Sequence, residues 1–198
     1  MKLLLRAAGA IDRLNEWVGR LLMWLVLAAA LVSAGNAVVR KLLDTSSNAW
    51  LEIQWYLFAA VFLLAAGYTL LRQEHVKIDV VLGRFARRTQ VWVECFGIVV
   101  FLLPFVVVVI ELGMPLVIQA WQSGERSSNA GGLIRWPVYA LVPLGFALLG
   151  LQGLSELVKR IAFLGGHGPD PGARKATRTA EEELAEQIRA THDQGARP

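Results

Sequence analysis

NAWLEIQWYLFAAVFLLAAGYTLLRQEHVKIDVV, residues 48 to 81, decides how this chain folds. After Glu52 no charge appears across residues 53–71, a run of 19 residues, and then Arg72, Glu74, His75, Lys77 and Asp79 crowd into the next eight positions. In a helix rising 1.5 Å per residue, such a run matches the roughly 30 Å of a bilayer's hydrocarbon core. The charges fall where that helix leaves the lipid.

The rest of the chain repeats the pattern. Apolar residues make up 55% of the 198, too many for an ordinary soluble domain. They gather in uncharged runs at residues 21–39, 53–71, 95–110 and 136–155. The third reaches spanning length only with the residues just before or after it. The expected fold is all-α: a polytopic membrane protein with four transmembrane helices at about 18–39, 51–71, 91–116 and 136–158. A helix satisfies its own backbone hydrogen bonds, as the dry core requires. The first run exceeds the 7–15 residues of a signal-peptide core and follows about twenty residues of chain, so a retained helix is expected.

Charge orients the bundle. Of the 20 Lys and Arg residues, sixteen fall in residues 1–20, 72–90 and 156–198, against four in the two alternate loops. By the positive-inside rule both termini and the 72–90 loop are cytoplasmic. The basic pI of 9.6 therefore reports topology and not nucleic-acid binding. Trp17, Trp50, Trp92, Trp121 and Trp136 fall at expected helix ends, as an aromatic belt does. Trp55 lies one turn inside, and Trp24 deeper.

Residues 1–16 form an amphipathic cytoplasmic segment, which the spacing of Leu4, Ala8, Ile11, Leu14 and Val18 predicts to lie in the interface, with Lys2, Arg6, Arg13 and Arg20 largely opposite. A second interfacial helix is expected where Ile78, Val81, Leu82 and Phe85 follow i, i+3, i+4, i+7. Residues 17–162 are the membrane domain. Residues 163–198 form a polar, partly disordered cytoplasmic tail, with Thr179 and Glu182 at capping-box spacing. Ala29, Ser33, Asn36 and Ala37 give the first span a stripe suited to close contact with another helix of this chain. Pro104 removes a ladder bond to Val100 and is expected to kink the third span.

Ionisable groups in membranes are the first functional candidates. Glu52, Glu94 and Glu111 qualify, yet each sits within a turn or so of an interface, and Glu52 and Glu94 occupy first turns favoured by the helix dipole. His75, His167 and His192 all lie outside the spans, which disfavours helix-borne haem ligation. One cysteine, Cys95, makes no intramolecular disulfide. No Ser/His pair falls in the membrane, and no glycine-broken half-helices repeat as in many secondary transporters. Such a chain suits partnership with something larger.

Four stretches in order carry a resemblance: SNAWLEIQWYLF (residues 47–58), HVKIDV (75–80), the loop from Glu125 to Leu133 continuing to Trp136 and Pro137, and LLGLQG (148–153). Across about residues 10–162 the chain resembles the small membrane (Q) subunit of tripartite ATP-independent periplasmic (TRAP) transporters. The resemblance implies a non-catalytic scaffold in the bacterial inner membrane. Its partners would be a large multi-spanning subunit holding the sodium and substrate sites, a periplasmic binding protein that delivers an organic acid, and membrane lipids. It implies no enzyme activity, cofactor or metal. Glu52, Gln54, His75, Asp79, Glu125, Ser128 and Gln152 carry over as interface or structural residues. His75 and Asp79, at i, i+4, could tie the exit of the second span to the following helix or dock the large subunit. The Glu125–Gly132 stretch could touch the binding protein. Two alternatives stay open: a membrane anchor of a redox complex, and a small homo-oligomeric channel ringed by Glu52 or Glu111.

Overall fold

The computed structural model describes residues 1–43, 47–73 and 84–170. Four helices, α1 (Lys2–Leu43), α2 (Asn48–Arg72), α3 (Arg87–Ser123) and α4 (Trp136–Leu164), are each long and apolar enough to cross a membrane. The described residues contain no strand, only one isolated antiparallel bridge between Arg126 and Ile134. His75, Asp79, most of the expected second interfacial helix and the tail beyond residue 170 lie outside the described residues.

The amphipathic N-terminal segment and the first span form one unbroken helix of 42 residues. No proline interrupts them, so the helix runs on for about 63 Å at 1.5 Å per residue. Its buried side takes Ala8 and Val18 from the expected apolar stripe and adds Asn15 and Gly19, while Lys2, Arg6, Arg13 and Arg20 point outward. Leu4 and Leu14 are exposed, while Asn15 is fully buried beside Ala8, Val18 and Gly19. A polar side chain beside the lipid gains by turning inward, where the Asn15 amide meets Gln152 of α4.

In α3 the backbone answers Pro104 with a π turn. The helix is α over Arg87–Gly97, π over Ile98–Leu102, and α again over Leu103–Ser123 with Pro104 in its first turn. The Leu103 N–H donates to Ile98 O, a 5-residue step in place of the usual four. Pro104 has no N–H for Val100, and its ring would crowd that carbonyl. Lengthening one turn just before it relieves the crowding. α3 ends in a glycine cap: Gly124 adopts φ 62°, and Glu125 N–H returns to Ala120 O at 3.1 Å.

α4 is the hub. It packs against α1, α2 and α3, α1 and α2 also pack together, and α3 rests on α4. Two glycines let α2 and α4 approach backbone to backbone. A Cβ on Gly145 would stand 2.5 Å from Leu63 O, and one on Gly67 would stand 3.1 Å from Leu148 O. On the other flank Val106 sits over Gly150 and Leu102 over Gly153. Outward faces remain apolar, with Phe62, Trp24 and Leu112 among the most exposed side chains. A surface of that kind belongs against lipid or another membrane protein.

Candidate functional site

Polar side chains concentrate at the two ends of the bundle. At one end, where α2 and α4 begin, the connection between α3 and α4 folds back over the first turn of α2. Residues Arg126 and Ile134 form the antiparallel bridge, and Ser127 N–H donates to Leu133 O at 2.9 Å. Gly131, at φ 72°, turns the tip. Glu52 holds this loop down. Its Oε1 accepts from Asn129 Nδ2 at 2.9 Å, and its Oε2 accepts the Leu133 N–H at 2.7 Å. Asn48 Nδ2 donates to Ala130 O, and the Tyr56 hydroxyl to Ile134 O, both at 3.1 Å. One face of α2, at i, i+4 and i+8, therefore grips the loop along its length.

The base of the loop is closed separately. Arg135 Nη1 donates to Glu125 Oε1 at 3.2 Å and to the Tyr139 hydroxyl at 3.4 Å. The Tyr139 hydroxyl first, then Glu125, raises the Arg135 guanidinium above its ordinary pKa, so the closure stays charged. Trp121 and Trp136, edge to face at 4.6 Å, join the end of α3 to the start of α4.

The opposite end holds a denser network. Gln152 on α4 is fully buried, accepting from Asn15 Nδ2 at 3.0 Å and donating to Asp12 Oδ1 at 2.9 Å. Asp12 also accepts from Ser155 Oγ at 2.7 Å and from Lys159 Nζ at 3.1 Å. Lys159 and Arg160 both pair with Glu156, and Arg160 Nε reaches across to Glu94 Oε2 on α3 at 2.8 Å. Among the described residues Asn15 Oδ1 is buried without a hydrogen-bond partner, and it lies against Gly67 of α2, where a Cβ would come within 2.3 Å. Charges this dry persist only when paired, and here each buried ion meets at least one opposite charge. Beside them Arg87 forms a bidentate pair with Asp170, both bonds at 2.8 Å. A cavity of about 510 Å³ opens at this end among Leu5, Asp12, Leu71, Glu156 and Asp170.

The structure thus distributes the residues singled out from sequence. Glu52 and Glu125 belong to the loop clamp and its base, and Ser128 is exposed on the loop. Gln152 centres the opposite network. Gln54 is half-buried and joins neither cluster. His75 and Asp79 lie outside the described residues. Glu94 serves as a partner for Arg160, and Glu111 is exposed on α3. Sequence reasoning missed Asp12, Asn15, Ser155, Glu156 and Lys159 as a group. Their signal was present: Gln152, Ser155, Glu156 and Lys159 share one helix face at i, i+3, i+4 and i+7, and Asp12 and Asn15 match them on α1.

Both networks fasten helices and loop to one another. Residues 29–163 match the family described as tripartite ATP-independent periplasmic transporters, DctQ component. No curated protein and no solved structure matches the chain.

Proposed function

The chain belongs to the DctQ family, the small permease component of TRAP transporters and not an enzyme, and on that premise we propose that it is the non-transporting scaffold of a sodium-driven importer of an organic acid. In this reading it lies in the bacterial inner membrane with both termini cytoplasmic, the sixteen-to-four bias of Lys and Arg supporting that orientation. It braces a large multi-spanning subunit that holds the ion and substrate sites, and the clamped Glu125–Arg135 loop faces the periplasm, where it helps seat the binding protein.

One observation carries the reading. Apart from Asn15 Oδ1, the buried polar side chains of the described residues are bonded within the two ends, and the apolar runs between them hold no string of free polar side chains. A substrate or ion crossing the bilayer needs such a string, or a water-filled cavity, at mid-depth. The cavity beside Asp12 and Asp170 is lined by helix ends.

Reconstitution tests it. Proteoliposomes holding this chain alone are expected to take up no organic acid under a sodium gradient. Adding the large subunit and the binding protein restores uptake, and omitting this chain from that mixture abolishes it. Uptake by the isolated chain, or full uptake without it, refutes the proposal.

A further inference from the structure

The outward face of α1 carries side chains that lipid does not accommodate well at their depth. Arg72 stands where α2 leaves the lipid and bonds Glu16 at 3.2 Å, so Glu16 marks one edge of the apolar layer on α1. Arg20 stands four residues further in, about 6 Å along the helix, and Trp24 about 12 Å, below the headgroup level of a 30 Å core. Neither points into the bundle: the Arg20 side chain is 69% exposed and Trp24 is 70% exposed. Arg20, Trp24, Leu27 and Leu31 follow i, i+4, i+7 and i+11, opposite the buried face of Asn15, Val18, Leu22 and Ala29.

Tryptophan in contact with lipid favours the headgroup level, and an arginine inside the core is expensive. Both residues are instead enriched at the centres of protein interfaces. Charge adds a direction. Arg20 reaches Glu16 at 3.6 Å, and Glu16 bonds Arg72 of α2 at 3.2 Å. Among the described residues this chain of ions sets two guanidiniums against one carboxylate, leaving the flank positive.

We propose that the Arg20–Trp24 face of α1 is the docking surface for the large membrane subunit, which presents there a span with a carboxylate level with Arg20 and an apolar recess for Trp24. The inference rests on the scaffold reading above and names the contacting face. The Glu16–Arg20–Arg72 cluster supplies the charge complement, and Trp24 the buried anchor.

Photo-crosslinking in the assembled transporter tests it. A benzoylphenylalanine is placed at Trp24 or Leu27, or on α3 at Phe101 or Leu112, in this chain co-expressed with the large subunit and the binding protein. Cross-links to the large subunit are expected from the two α1 positions and not from the α3 positions. Arg20→Gln is expected to lower the large subunit recovered with this chain about tenfold, with Arg20→Lys retaining most of it. Cross-links from α3 alone, recovery by Arg20→Gln equal to the unmodified chain, or phospholipid as the sole adduct at Trp24 each overturn the docking face while leaving the scaffold reading standing. Failure of the unmodified chain to recover any large subunit overturns both.

Discussion

Glu52 on α2 accepts the backbone N–H of Leu133, 81 residues further along the chain, at 2.7 Å, and so one carboxylate sets the height of the loop between α3 and α4. Asn129 occupies its second oxygen at 2.9 Å. Replacing Glu52 with alanine removes the acceptor for both, while Asn48 and Tyr56 keep their own grips at either end. The amides of residues 127–133 are then expected to exchange with solvent about tenfold faster, with the four helices unchanged. Hydrogen exchange in detergent micelles checks this. Equal protection in the variant shows that Glu52 does not organise the loop.

The Arg160 site makes a sharper energetic statement. Its guanidinium, with the side chain only 5% exposed, lies between Glu156 and Glu94. Arg160→Met leaves Glu156 with Lys159 as its ion partner and removes the bond from Arg160 to Glu94, and is expected to destabilise the bundle by roughly 1–3 kcal/mol. Removing the charge on both sides, as Glu156→Gln with Arg160→Met, leaves no ion of that pair, and Lys159 keeps Asp12. The double variant is expected to be more stable than the single one. Denaturant titration in mixed micelles orders the two, and a double variant less stable than the single one contradicts this account.

Gly145 tests the closeness of α2 and α4. A Cβ there meets Leu63 O at 2.5 Å, a backbone atom that cannot swing aside. Gly145→Ala is expected to cost about 1–3 kcal/mol through forced separation of the helices. Gly113→Ala, whose Cβ would find its nearest neighbours at 3.8 Å and 3.9 Å, and Gly35→Ala, with nothing within 4 Å, are expected to be neutral or slightly stabilising. A stability ranking that places Gly145→Ala with the other two removes the tight crossing.

Pro104 and the π turn make a register prediction. A π turn amounts to one extra residue in an α-helix, so it sets how far Glu94 and Val91 are rotated relative to Val106. With Pro104→Ala the missing N–H returns and the turn is free to tighten, which would carry Glu94 away from Arg160. Deleting Val100 in the Pro104→Ala background makes the tightened helix one residue shorter and is expected to restore the Glu94–Arg160 pairing. Recovery of thermal stability on deletion is the readout. A deletion that destabilises further shows that the π turn does not depend on Pro104.

The four spans were legible because length and hydropathy alone decide them, whatever the helices pack against. The position of the break in α3 was legible from Pro104, but not its form. A kink and a longer turn both relieve the same clash, and the choice depends on keeping Leu102 over Gly153 and Glu94 at Arg160. The network around Gln152 was harder. Reading residues 1–16 as an amphipathic helix sets Lys2, Arg6 and Arg13 outward, where they are, but assigns no partner to Asp12 and Asn15. Inside a membrane bundle Asn15 and Asp12 turn inward, and only knowledge that α4 runs alongside reveals their partners. The Glu52 clamp was out of reach for the same reason. A carboxylate near a helix start announces itself in sequence, whereas the backbone N–H that it binds, 81 residues away, carries no sequence mark at all.

Because α4 alone packs against each of the other helices, the order of synthesis acquires a meaning. α1 and α2 can associate as soon as both have left the ribosome, but Asn15 and Asp12 find their ligands on α4, the last span made. α3 has its main neighbour there as well. Until residues 136–164 have entered the membrane, the first three spans are an unfinished assembly with polar groups unsatisfied. Biogenesis of this subunit is therefore committed late, and a chain truncated before Trp136 is expected to turn over faster than the full one in pulse-chase labelling.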